Sequence, residues 1–271
     1  MKNSRRFFFS LIFALVFASI ELSAMTIETH FIGGSAPLNT SGDGNLSDIV
    51  NAAARVWESI YDDQATLVLY YGWEDNMEDV ATHTALEMTA DGRREVAGVL
   101  KFNRNGSVQF FLDATPDTNE EYQQFDEEYQ DLGGGYVNVA RILSRPRGEA
   151  AEYLDLFSVA LHEIGHALGL SLANPYFDSM SSGGILLIGE GLPFAGTLTP
   201  MATNHSGVIP HFDITQVSYG SLMGGINADE RRLPSVLDIL ANAQTSGFTL
   251  LRLPQTVGFQ MLSTTVLAKE K

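Results

Sequence analysis

Apolar and polar positions alternate over Met25 to Ile32, the pattern of a strand, and the loop that follows from Gly33 to Asn45 is rich in Gly, Ser and Asn. Ile49, Ala53, Val56, Trp57 and Ile60 then recur at helical spacing, with Ser47 placed to cap the helix. Three strand-like runs come next: Ala65 to Tyr71, Val96 to Phe102 and Ser107 to Asp113. The last two are joined through Asn103-Arg104-Asn105-Gly106, which suits a tight hairpin. Residues 113 to 131 carry eight acids and no base; they lack the ligand spacing of an EF-hand and read as a solvated acidic loop. Gly133 to Gly135 close that loop, and Tyr136 to Ile142 is a further strand. From Leu156 to Leu170 the period becomes helical, with Phe157, Leu161, Ile164 and Leu168 on one buried stripe and Ser158, His162, His166 and Gly169 on another face. Residues 181 to 207 read as loops and short hairpins. Val236, Leu237, Ile239, Leu240 and Ala243 mark a closing helix with Pro234 in its first turn.

The chain opens on Lys2, Arg5 and Arg6, followed by the apolar run Phe7 to Ile20 and the small residues Ser23 and Ala24. This predicts a signal peptide, residues 1–24, because the run is shorter than the roughly 20 residues of a spanning helix. The apolar tail from Leu250 to Ala268 is broken by Arg252, Pro254 and Gln255, so no membrane span is expected after signal cleavage. A secreted or periplasmic protein is the consequence.

Composition narrows the classes. Against 16 Lys and Arg stand 33 Asp and Glu, a net charge of -17, which argues against nucleic acid as a partner. A hydrophobic content of 45% is enough for one large domain or two small lobes and excludes global disorder. With no cysteine among 271 residues, any metal must be held by His, Asp or Glu.

The chemistry concentrates in Leu156 to Leu170, LFSVALHEIGHALGL. Residues four apart on a helix are offset by about 40° and about 6 Å of rise, so His162 and His166 can present ring nitrogens to one ion. Glu163 lies beside them and can take a proton from a water activated there, the chemistry that an HExxH motif supports. Gly169, three residues on, can end the helix and turn the chain sharply because it tolerates unusual dihedrals. A zinc ion held by two helical histidines needs a third protein ligand from elsewhere, and His211, His205 and Glu190 are the candidates.

The run H-E-x-x-H-x-x-G resembles the metzincin zinc metalloproteases. In their compact form a third His stands three residues past the Gly, where this chain has Leu172. His211 lies 42 residues past Gly169, and Met223 follows 12 residues later beside Gly224 and Gly225. That layout is similar to the leishmanolysin-like branch, in which an insertion precedes the third His and a methionine turn floors the metal, and to a bacterial exported group of HEIGHALG metallopeptidases. The resemblance implies an α+β, metzincin-like zincin, with a twisted mixed sheet, an active-site helix and a small irregular C-terminal lobe. It divides the chain into residues 25–170, with the HExxH helix, and 171–271, with the third ligand, Met-turn and closing helix. It further implies a Zn2+ cofactor on His162, His166 and His211, with Glu163 as general base in the hydrolysis of a protein or peptide substrate. Two other readings are a gluzincin-type peptidase with Glu190 as third ligand, and a zinc-stabilised secreted binding protein without catalysis. Ser107 to Asp113 is a candidate edge strand for holding the peptide. His30 and His83 read as surface or structural residues, and Tyr219 as a structural tyrosine.

Overall fold

A computed structural model describes residues 24–254 and 265–266. The predicted signal lies outside the described residues except for Ala24, as does most of the chain after Pro254. Among the described residues no helix is long and apolar enough to cross a membrane.

A mixed, twisted four-stranded sheet is built from β1 (Thr26–Gly33), β2 (Thr66–Glu74), β3 (Ala81–Met88) and β4 (Glu95–Asn103), in the order β1-β2-β4-β3. β1, β2 and β4 run parallel, and β3 lies antiparallel to β4 at one edge. Parallel neighbours need a crossover, and α1 (Leu46–Glu58) supplies it between β1 and β2. Its N-cap is Asn45, whose side chain accepts the amide of Asp48 at 3.0 Å, rather than Ser47. Ile49, Val50, Ala53 and Trp57 bury its inner face, and the Trp57 indole donates to the carbonyl of Leu161, pinning α1 to the next long helix.

The expected hairpin between residues 96–102 and 107–113 does not form. β4 turns instead with β3 through residues 89–94, where Thr89 donates to Asp91 at 2.6 Å and Gly92 takes a φ of 71°. Only β5 (Phe110–Phe111) of the 107–113 run is strand; it is buried, and pairs in parallel with β8 (Leu154–Asp155). β4 is already paired on both sides, with β2 and with β3, which leaves no edge for the 107–113 run. The buried side chain of Asn103 donates to the carbonyls of Met77 and Asp79, bracing the approach to β3, while its Oδ1 accepts the Asn105 amide at 2.8 Å.

The acidic stretch also departs from a solvated loop. Its second half is β6 (Tyr122–Asp131), paired with β7 (Tyr136–Pro146), which in turn pairs with β12 (Glu230–Arg232). Three of its eight acids meet bases from other elements: Asp117 pairs with Arg55, Glu127 with Arg141 on the adjacent strand, and buried Asp113 with Arg231.

The rest of the chain carries α2 (Leu156–Ala167), α3 (Pro175–Ser181), the strands β9 (Ile185–Leu187), β10 (Leu198–Asn204) and β11 (Gly207–Phe212), and α4 (Val236–Ser246). β13 (Arg252–Leu253) pairs with β14 (Thr265–Val266). α4 opens on a capping box between Ser235 and Asp238, which leaves Pro234 just ahead of the helix. One apolar core runs through α1, α2, the sheet and α4.

Candidate active site

α2 begins at Asp155, whose Oδ2 accepts both the amide and the hydroxyl of Ser158, at 3.0 and 2.6 Å. Arg231 grips the same carboxylate with Nε and Nη2, each at 3.0 Å, and reaches Asp113 at 2.5 Å. The start of the helix is thereby tied to a strand far along the chain. All twelve residues of α2 are buried, so the expected polar face meets other elements and a cleft rather than the outer surface. It is roofed by β3 and floored by a single 3-10 turn, Leu222–Gly224.

His162 and His166 follow one turn apart, and His211, on β11, meets them. His162 Nε2 lies 3.0 Å from His166 Nε2 and 3.1 Å from His211 Nε2. The Nδ1 atoms of His162 and His166 face the carbonyl oxygens of Leu222 and Leu170 at 2.8 and 2.6 Å. Only N–H groups can satisfy those carbonyls, so both Nδ1 atoms carry the proton and both Nε2 atoms present lone pairs. Lone pairs 3.0 Å apart repel unless one ring takes a second proton or a cation stands between them. Burial opposes the proton: it pushes His162 down to about 3, and His166 and His211 below their usual range. A divalent cation meets the need, and the neutral, nitrogen-only donor set suits zinc.

His205 is exposed in the turn between β10 and β11, and Glu190 is exposed beside Gly189 and Gly191; neither belongs to the cluster. Leu172, where the compact metzincin spacing would put a histidine, is 57% exposed.

Gly169 ends the helical segment with a φ of 154°, and a β-carbon there would run into Thr245 and Ser246 of α4. Its lack of a side chain therefore serves both the turn and the packing of the closing helix. Met223 is fully buried against α2 at Gly165. Its amide is accepted by the buried carboxylate of Asp238 at 2.9 Å, which holds the turn whose Leu222 carbonyl receives His162.

Glu163 lines the same cleft, and its Oε2 is buried with no hydrogen-bond partner among the described residues. Burial pushes its carboxyl up to about 8, and the charge of Asp79 adds to the rise. The cleft, about 620 Å³, is walled on one side by residues 79–85, from the approach to β3 into the strand itself. The edge strand available to a peptide is thus β3; the 107–113 run is occupied elsewhere.

His83 has a larger place than its sequence context indicates. It projects from β3, lines the cleft, and stacks its ring 6.5 Å from that of His166. Glu95 on β4 holds its Nε2 at 2.9 Å, both side chains being buried. The signal was weak, since an isolated His in a Thr-rich run looks exposed. His30 is exposed and tilts over Tyr70, and Tyr219 is exposed with its hydroxyl on Asn227 and is not among the residues that line the cleft.

The family model described as matrixin, of the M10 peptidases, matches residues 13–178, more than half of the chain. The chain belongs to the matrixin family. As a matrixin it is a zinc metalloendopeptidase of α+β fold, with protein or peptide substrates. The match takes in His162, Glu163, His166 and Gly169 and stops before His211 and Met223, which enter through the geometry alone. No curated protein and no solved structure matches the chain.

Proposed function

We propose that this matrixin holds its zinc on His162, His166 and His211, uses Glu163 as general base, and works outside the cytoplasm as a leishmanolysin-like variant of the layout. The observation that carries the ligand set is the convergence of three imidazole Nε2 atoms, two of them left with free lone pairs because their rings donate Nδ1–H to backbone carbonyls. Zinc bound there supplies Lewis acidity, polarising a carbonyl and lowering the pKa of water.

Glu163 takes a proton from the attacking water at its free carboxylate oxygen and returns it to the leaving amine. Leu222 and Leu170 fix the tautomer and plane of two imidazoles, Met223 packs beneath them, and β3 aligns the peptide by strand addition. Residues 25–170 and 171–271 act as two subdomains on either side of the cleft, the second bringing its ligand across an insertion. The leader, with its basic start and apolar run, supports export.

Glu163→Gln tests the base. The amide cannot accept the proton, while the three imidazoles are untouched, so metal content should match the parent and turnover on a casein-derived peptide should fall at least about a hundredfold. Near-parental turnover in a fully zinc-loaded variant would remove Glu163 from the mechanism.

A further inference from the structure

The cleft is lined by an uneven set of charges. Asp79 and Glu163 face it, and no Lys or Arg does. Glu163 is buried beside the histidines, whereas Asp79 is exposed at the rim, just ahead of the strand that would receive a peptide.

Asp79 has no cation of its own. The bases on β4 and just after it are spoken for: Lys101 pairs with Glu74 at 3.1 Å and Arg104 with Asp75 at 3.1 Å. No ion pair forms to Asp79 among the described residues. Its backbone, however, is firmly mounted. Asn103 donates to the Asp79 carbonyl at 2.8 Å, the Asn103 amide donates to Val80 at 3.0 Å, and Asn105 reaches Met77 at 2.8 Å. An unpaired carboxylate on a braced backbone at the edge of a binding cleft is a well-placed acceptor for a cation delivered by a ligand. It also lines the same cleft as Glu163 and His211.

We propose that Asp79 is a specificity-determining residue that selects peptides carrying a Lys or Arg side chain near the scissile bond; this rests on the peptidase reading above. A basic side chain there gains the attraction of an unpaired carboxylate, and an acidic one meets repulsion from Asp79 and from a strongly acidic protein. For a pair that remains open to water, the expected preference is about fivefold over a neutral residue.

The test uses peptides that differ only in carrying Lys, Gln or Glu at one position, scanned from three residues before to three after the cleaved bond. The reading is the ratio of kcat/KM for Lys over Glu within each variant, so any general change in turnover cancels. The parent should show a Lys preference at one position; Asp79→Asn should bring that ratio close to one, and Asp79→Lys should reverse it. Glu78→Gln removes the same charge from the exposed neighbour outside the cleft and should leave the ratio as it was.

A preference that survives Asp79→Asn, or that falls equally with Glu78→Gln, would overturn the proposal in favour of net charge alone. Parallel anisotropy titrations of the Lys and Glu peptides on zinc-loaded Glu163→Gln, with and without Asp79→Asn, separate this proposal from the catalytic one. Tighter Lys-peptide binding that is lost with Asp79 supports the subsite even if the parent cleaves none of the peptides; equal binding of both peptides contradicts it.

Discussion

Met223 carries its sulfur 2.6 Å from the point that a β-carbon on Gly165 would occupy. The x-x of this HExxH motif therefore includes a residue whose smallness lets a methionine from 58 positions away close against the helix between His162 and His166. Asp238 holds the Met223 amide at 2.9 Å, so the turn cannot retreat freely.

Gly165→Ala pits two effects against each other. Helix propensity favours Ala by about 1 kcal/mol, while overpacking a full core costs about 1–3 kcal/mol. With the turn anchored, overpacking wins: the variant should melt lower and bind zinc more weakly than the parent. Differential scanning calorimetry with a competitive zinc titration checks both, and a variant that is more stable with unchanged zinc affinity would show that Met223 yields without cost.

Arg231 is the second long-range tie. It is fully buried, pairs with Asp113 and Asp155, and lies over the rings of Tyr122 and Phe157 at 5.0 and 4.8 Å. Arg231→Met would leave two buried carboxylates without their cation, which costs about 3–5 kcal/mol. Urea unfolding should give a loss of that order, and a loss under about 1 kcal/mol would mean that the carboxylates find water or other partners.

The motif half of the site was legible because helical geometry is local: His162, Glu163, His166 and Gly169 need only one helix to come together. His211 needs a long excursion through β9, β10 and β11 to reach His162, and only its spacing to Met223 set it ahead of His205. The edge strand was missed for a similar reason. Asp91-Gly92 and Asn105-Gly106 are comparable turn signals, and only the folded sheet, in which β2 and β3 flank β4, decides between them. The acidic stretch misled because charge alone reads as solvated, whereas Arg141 and Arg231 meet it only after folding. His83 stayed hidden because its partner Glu95 lies across a hairpin that the sequence pattern did not reveal.

Glu95 offers a pH test. Burial raises its carboxyl above its usual value, with His83 opposing the rise. The folded state thus holds that proton more tightly than the unfolded chain, so this group's contribution to stability is greatest below the ordinary carboxylate value and declines as pH rises towards the raised one. Glu95→Gln lacks the titration, so its stability relative to the parent should improve from pH 4 to pH 7. Urea unfolding of both proteins across that range measures the difference, and a difference that is flat or falls with pH contradicts the assignment.

The three-histidine centre is tested most directly by zinc affinity in His211→Ala and His205→Ala, measured by competition with a chromophoric chelator. Removing a direct ligand should weaken zinc far beyond the 10- to 100-fold typical of groups that only support ligands. The predicted result is a loss of more than about a hundredfold for His211→Ala and parental affinity for His205→Ala. Parental zinc affinity in His211→Ala would contradict the centre built on His162, His166 and His211.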